Sequence, residues 1–181
     1  MGKLFRLMTA VLALQIVLAA GGFTLESPDL SQRLSPAQVY NGYGCRGKNI
    51  SPELRWHGEP KGTKSFAVTM FDPDAPRKGG WWHWLVFNIP SGCHRLPRGA
   101  GDPQKGMLPD GAVQSMNDFG EKGYGGACPP RGHGLHRYIV TVYALDVAKL
   151  ALDAGTPPAE VAAMIEKHTL AKASITSRYG R

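Results

Sequence analysis

Glycine and proline divide this chain into short segments, a pattern that favours antiparallel β-sheets over long helices. The 181 residues include 23 glycines and 14 prolines. Between them stand short runs of β-branched and aromatic residues, at positions 67–71, 85–89 and 138–145, which is typical of strands. The segment 91–119 has no sustained periodicity and is expected to be an irregular excursion that contributes a binding wall. We therefore predict a mainly β fold of antiparallel sheets.

One helix and one further strand are predicted near the C-terminus. Thr156 is a candidate N-cap, and Pro157 and Pro158 suit a first helical turn. Three apolar residues follow at helical spacing, namely Val161, Ala162 and Ile165. This pattern predicts a C-terminal helix that covers the sheet, with a last strand at 173–179.

The first 20 residues have the form of a secretory signal peptide. Lys3 and Arg6 precede an apolar run that ends in small residues around Ala20. A membrane-spanning helix needs about 20 apolar residues and this run has fewer. We expect cleavage near Ala20, which leaves one domain at 21–181 with no transmembrane segment, in the periplasm or secreted. An uncleaved anchor is the alternative.

The charge of the chain gives little support to nucleic-acid binding. The formal net charge is +7, and it falls to +5 once Lys3 and Arg6 leave with the signal peptide. The remaining basic residues are spread along the chain without a run of adjacent ones. A surface that tolerates anionic partners is the milder conclusion.

Polar residues stand where the predicted strands begin or end. Asp72 and Asp74 follow the run 65–71, and His83 precedes the run 85–89. If these two runs form a hairpin, Asp72 and His83 lie at the same end of it. A glycine-rich segment stiffened by two prolines delivers His136 and Arg137 to the start of the next strand. A small pocket at these strand ends is the predicted site.

Several motifs follow one another in order along the chain. They are Gly44-Cys45-Arg46-Gly47-Lys48-Asn49-Ile50-Ser51-Pro52, Asp72-Pro73-Asp74-Ala75-Pro76, Trp82-His83-Trp84, Pro129-Pro130-Arg131-Gly132 and His136-Arg137-Tyr138. Together they resemble the phosphatidylethanolamine-binding protein family, also called the Raf kinase inhibitor-like proteins. The resemblance spans roughly residues 23–179 and is greatest to the bacterial and archaeal branch, the YbhB/YbcL type.

The resemblance implies a set of site residues. The ligand-binding residues by this reading are Asp72, His83, Pro130 and His136. An arginine fork can hold a carboxylate with two hydrogen bonds, so Asp74 and Arg137 are expected to pair as scaffold. Residues expected to support the pocket are Trp82, Tyr124 and Gly126. Simple turn formation is the alternative role for the two aspartates.

The three cysteines are an odd number for a chain bound for an oxidising compartment. The resemblance places the loops of Cys45 and Cys128 beside the same pocket, whereas Cys93 lies in a separate turn. A Cys45–Cys128 disulfide with a free Cys93 is therefore expected. Three free thiols are the alternative, because sequence does not show whether the α-carbons approach within disulfide range.

The implied function is binding rather than catalysis, without a cofactor. The expected ligand is a small phosphate-bearing molecule or a phospholipid head group, and family members that inhibit kinases or proteases make such an enzyme a candidate partner. If a protonated histidine contacts the phosphate, affinity falls as the pH rises through about 6.5. A small hydrolase using the same pocket is the alternative function. A metal site is disfavoured because His133 and His136 are not at a usual ligand spacing.

Overall fold

A five-stranded antiparallel sheet forms the centre of the protein, covered on one face by a three-stranded sheet and on the other by a helix. The computed structural model describes residues 22–181, so the predicted signal peptide lies outside the described residues. The strands are β1 (Thr24–Glu26), β2 (Leu54–His57), β3 (Ser65–Asp72), β4 (Trp81–Pro90), β5 (Arg95–Leu96), β6 (Val113–Gln114), β7 (His136–Leu145) and β8 (Thr169–Tyr179), and the α-helix is α1 (Pro158–Lys167). The prediction of a mainly β fold with a C-terminal helix is confirmed.

Strand β3 occupies the middle of the large sheet, whose order is β6–β4–β3–β7–β8. Successive side chains of a strand point to opposite faces of the sheet. Both faces of β3 are covered, and all its residues except Phe71 are buried. This double burial explains why its sequence is a continuous apolar run rather than an alternation of apolar and polar residues.

Two hydrophobic cores lie on the two faces of the large sheet. On one face Phe66 and Val68 pack in a cluster with Leu54 and Trp56 of the small sheet, whose strand order is β1–β2–β5. The other face packs against the helix, in a cluster that includes Ala67, Leu85, Phe87, Val161, Ala162 and Ile165. Burial of each large apolar side chain contributes about 1.5 to 3 kcal/mol, so both layers hold the sheet rigid.

The register brings three strand ends to one edge of the sheet. Strand β3 is antiparallel to both β4 and β7, so its last residue lies near the first residues of both neighbours. Asp72 pairs with Trp81 at the start of β4, and Phe71 pairs with Ile139 close to the start of β7. The polar residues at these strand ends are therefore neighbours in space.

The C-terminal region differs from the prediction at two boundaries. Pro157 rather than Thr156 is the N-cap residue, and the helix has no side-chain cap. The prediction for Thr156 is wrong because its hydroxyl instead donates a hydrogen bond to Asp153 Oδ1. Strand β8 begins at Thr169, earlier than predicted, because the whole of β7 offers it a partner. Across residues 22–181, no helix has the length and apolar character needed to cross a membrane.

A disulfide between Cys45 and Cys128 joins two loops that are 83 residues apart in the chain. Their α-carbons are 6.0 Å apart, within the range that a disulfide spans without backbone movement. Cys93 is a free, half-buried thiol. Both features agree with the pairing that the family resemblance implied.

Removing this disulfide should destabilise the protein substantially, because the bridge restricts a long loop in the unfolded chain. We expect the Cys45→Ser/Cys128→Ser double variant to lose about 2 to 5 kcal/mol of unfolding free energy, measured by urea denaturation under non-reducing conditions. Cys93→Ser is the control and should change stability little. A double variant as stable as the wild type would contradict the bridge.

Candidate functional site

A cavity of about 220 Å³ opens at the edge of the large sheet where β3 ends and β4 and β7 begin. Its walls come from these three strands and from the loops around Tyr43, Phe119 and Pro130. The lining residues are Tyr43, Asp72, Ala75, Pro76, Arg77, Trp81, His83, Phe119, Cys128, Pro129, Pro130, His136 and Tyr138. All four predicted ligand-binding residues are among them.

The carboxylate of Asp72 is held by hydrogen bonds at both oxygens. Its Oδ1 accepts from the Asp74 amide at 2.8 Å, and its Oδ2 lies 2.7 Å from His136 Nδ1. A carboxylate oxygen accepts, so Nδ1 of His136 carries the hydrogen. Asp72 is 3 % exposed and His136 is 2 % exposed. The pair therefore fixes both the tautomer and the orientation of a buried imidazole.

A third residue extends this pair into a chain of hydrogen bonds. Nε2 of His136 lies 2.7 Å from Nδ1 of His133, and one proton is shared between the two nitrogens. His133 is exposed on the loop that leads into β7. Any ligand that reaches Nε2 of His136 thus competes with His133. Within residues 22–181, no group of three or more His, Cys, Asp and Glu side chains is placed to hold a metal ion.

His83 is a neutral imidazole that faces the cavity as an acceptor. Its Nδ1 lies 2.7 Å from the carbonyl oxygen of Gly125, so Nδ1 is the donor and Nε2 has the free lone pair. Burial lowers the pKa of His83 below its ordinary value, because a charged ring is poorly solvated there. Near neutral pH the ring is therefore uncharged.

Asp74 and Arg137 pair at the rim of the cavity. The carboxylate of Asp74 accepts from Arg137 Nε at 2.9 Å, from NH2 at 2.7 Å and from the Arg137 amide at 2.8 Å. These hydrogen bonds lower the pKa of Asp74 to about 2. The Asp74 amide in turn donates to Asp72. The pair thus braces the loop that follows β3 against the start of β7.

The three residues predicted to support the pocket lie behind it. Trp82 packs against Phe71 with ring centroids 4.3 Å apart and an angle of 37° between the ring planes, and it contacts the core on the helix side of the sheet. The buried Tyr124 donates its hydroxyl to the carbonyl of Gln38 at 2.9 Å. A Cβ on Gly126 would stand 2.4 Å from that same carbonyl oxygen, so only glycine fits. None of the three is a lining residue of the cavity.

Trp81 and Tyr138 line the cavity and were not predicted. Each stands two residues from a predicted histidine on the same strand, Trp81 before His83 and Tyr138 after His136, and so shares its face of the sheet. This spacing of two residues along a strand could have been used to predict both lining residues from the sequence. Tyr43 and Phe119 come from loops, and no periodicity could place them.

Trp81 and Tyr138 also carry buried polar atoms without a hydrogen-bond partner among the described residues. These atoms are the Trp81 indole Nε1 and the Tyr138 hydroxyl. Burial raises the pKa of the Tyr138 phenol, so the hydroxyl keeps its proton and remains a donor. A buried polar group left unpaired costs about 1 to 3 kcal/mol. The indole Nε1 of Trp56, in the core between the two sheets, is also unpaired among the described residues, but it does not line the cavity.

The fold and the site together define a member of the phosphatidylethanolamine-binding protein family. The chain matches the model of that family, described as phosphatidylethanolamine-binding protein, over residues 27–180. The chain belongs to this family, as the sequence motifs predicted.

Two Escherichia coli (strain K12) proteins place the chain in the YbhB/YbcL branch. It is 46% identical over 162 residues to UPF0098 protein YbcL, covering 88% of each chain. It is 49% identical over 147 residues to UPF0098 protein YbhB, covering 81% of this chain and 92% of the relative. The crystal structure of E. coli YbcL, described as a new member of the mammalian PEBP family, matches with a TM-score of 0.87 and 45% sequence identity, covering 89% of this chain and 99% of that chain.

Loss of the Asp74 charge should lower stability in a pH-dependent way. We expect Asp74→Asn to cost about 1 kcal/mol at neutral pH, the upper end for pairs that water partly screens. Because the pKa of Asp74 falls from 3.8 to about 2 on folding, its contribution is present above about pH 4 and is lost as the pH falls towards 2. Urea denaturation at several pH values tests this.

Asp110→Asn removes an exposed carboxylate that has no salt bridge among the described residues and is the matched control. A stability difference between wild type and Asp74→Asn that stays constant from neutral pH to pH 2 would contradict the assigned role.

Proposed function

We propose that the protein binds a small phosphate-bearing molecule, such as phosphoethanolamine or the corresponding phospholipid head group, in the cavity at the strand ends. The observation that carries the proposal is the pair of buried donors, the Trp81 indole and the Tyr138 hydroxyl, in the wall of one cavity. Phosphate oxygens are acceptors and can satisfy both. The family name supports the same class of ligand.

The histidines and Asp72 have separate roles in this proposal. Both oxygens of Asp72 are already hydrogen-bonded, so its charge is partly compensated and its main role is to orient His136. His136 offers Nε2–H to phosphate when its ring is protonated. His83 is neutral and presents an acceptor, which suits the ammonium of an ethanolamine group. Both signs of a zwitterionic head group are thus met.

The size of the cavity limits what it can hold. Pockets for drug-sized ligands occupy about 300 to 1,000 Å³, and this cavity of about 220 Å³ is smaller. A head group fits such a space better than a whole lipid. The aromatic rings of Tyr43, Trp81 and Phe119 supply the apolar part of the wall and can stabilise a cationic end.

Export and partner binding belong to the same proposal. The Cys45–Cys128 disulfide is the kind of bond that persists in an oxidising compartment, which supports a periplasmic or secreted location. A kinase or protease as a partner rests on the family resemblance alone.

Hydrolysis has less support than binding. The Asp72–His136 pair resembles an oriented general base. However, the lining residues of the cavity in the described chain include no serine or threonine, and the one cysteine, Cys128, is in the disulfide. No serine, threonine or free cysteine of the described chain therefore lines the cavity beside the base. We propose a binding protein rather than an enzyme.

Replacement of His136 should weaken ligand binding. We expect His136→Ala to reduce the affinity for phosphoethanolamine at least about tenfold, because a directed, charge-assisted hydrogen bond is lost. Isothermal titration calorimetry measures this. Lys167→Ala removes an exposed positive charge on α1 and should have little effect, since such a charge is screened. Equal affinities of wild type and His136→Ala would exclude His136 from the site.

The Tyr138 hydroxyl provides a sharper test, because affinity and stability should respond differently. Tyr138→Phe removes only an unpaired donor, so we expect about tenfold weaker phosphoethanolamine binding with unchanged or higher stability of the free protein. Calorimetry and urea denaturation give the two values.

Tyr124→Phe is the matched control for that test. The Tyr124 hydroxyl is paired with Gln38 behind the cavity, so its loss should cost about 1 kcal/mol of stability and leave affinity unchanged. If Tyr138→Phe binds phosphoethanolamine as well as the wild type does, the hydroxyl is not a ligand contact.

A further inference from the structure

A second concave surface lies beside the Cys45–Cys128 disulfide. This groove, of about 590 Å³, is lined by Gly44, Cys45, Arg46, Arg131, Tyr179 and Arg181. We call it the arginine groove. The disulfide connects the cavity and the groove, because Cys128 lines the first and its disulfide partner Cys45 lines the second.

No acidic side chain lines the arginine groove to balance its positive charge. Three of its six lining residues are arginines, and none of the six is Asp or Glu. Among residues 22–181 the salt bridges of arginine involve Arg55, Arg77, Arg95, Arg98 and Arg137, and not those of the groove. Like charges brought together cost free energy, so a cluster without counter-charges suits an anionic ligand.

Arg181 has a structural role that also preorganises the groove. Its guanidinium donates to the carbonyls of Pro129 at 2.6 Å, Gly44 at 3.0 Å and Tyr43 at 3.3 Å. Its main-chain oxygen accepts from the Gly132 amide at 2.9 Å. Together with the disulfide, these bonds hold the two loops that form the groove, so little conformational entropy is lost when a ligand binds.

Arg46 and Arg131 remain available as ligand contacts. Both side chains are exposed, and neither makes a side-chain hydrogen bond or salt bridge within the described part of the chain. One stands on each of the two loops that the disulfide joins. A guanidinium is a planar fork that matches phosphate oxygens with two hydrogen bonds.

We propose that the arginine groove is a second anion site, which binds a phosphate-bearing group of more than one negative charge through Arg46 and Arg131, beside the fixed charge of Arg181. Its ligand differs in chemistry from that of the cavity, where one histidine and two neutral donors face a single phosphate. The proposal does not depend on the function proposed for the cavity.

The test uses inorganic pyrophosphate as the probe, titrated at low ionic strength into the ¹⁵N-labelled protein. We expect amide shift changes at Gly44, Cys45, Arg46 and Arg131, and at least about tenfold weaker binding in Arg46→Gln/Arg131→Gln. Lys61→Gln/Lys64→Gln is the control matched in charge, with two exposed lysines near the opposite end of β3, and should change affinity by less than about twofold.

A parallel measurement separates the two sources of a phosphate group. Co-sedimentation with phosphatidylcholine vesicles that contain cardiolipin, whose head group carries two phosphates, would assign the groove to lipid head groups if it is lost in the Arg46→Gln/Arg131→Gln variant. Pyrophosphate binding without vesicle binding would assign it to soluble phosphates. Either result supports the groove as an anion site.

Two results would overturn the proposal. The first is pyrophosphate binding that is absent or confined to shifts of cavity residues such as His83 and His136. The second is equal affinity of the arginine and lysine double variants. Phosphoethanolamine affinity should be the same in the wild type and Arg46→Gln/Arg131→Gln, so failure of either site is visible separately.

Discussion

The position of β3 between two antiparallel neighbours is the constraint on which the rest of the structure depends. Strand β3 ends where β4 and β7 begin, so one edge of the sheet brings together residues from the ends of three strands. Burial on both faces locks the register, because a slip by one residue would exchange the residues of the two cores. The cavity is a consequence of this arrangement.

Asp72 converts that strand edge into a site of defined chemistry. Its buried carboxylate accepts from the backbone of Asp74 and from His136, and the Asp74–Arg137 pair braces the same turn. A buried charge without such partners would be very costly. The hydrogen bonds that stabilise the buried charge of Asp72 also fix the tautomer of His136. Nε2 of His136 is then the ring nitrogen that can change its hydrogen-bond partner. The groups that stabilise Asp72 are thus also those to which we assign ligand recognition under the proposed function.

The disulfide also takes part in two surfaces of the protein. Cys128 lines the cavity, together with aromatic residues and histidines, and Cys45 lines the groove, together with three arginines. Arg181 and the Cys45–Cys128 bridge hold the same two loops. Loss of either restraint is expected to alter both surfaces together.

The sequence by itself determined the strand runs, the helix face, the family and the residues Asp72, His83, Pro130 and His136, because strand periodicity, glycine and proline positions and short motifs are local features. That these residues lie close together in space could be predicted only by assuming that the runs 65–71 and 85–89 form a hairpin. The sequence also predicted that Asp74 pairs with Arg137, because these two residues of opposite charge stand at two strand ends.

Only the tertiary structure decided which neighbours complete the site. It placed Trp81 rather than Trp82 in the cavity wall, Tyr124 and Gly126 behind it, and His133 against His136. The arginine groove likewise depends on a contact between residues far apart in sequence. Such placements are set by how loops pack on the sheet and which buried donors find partners, and these are properties of the folded chain that no local pattern encodes.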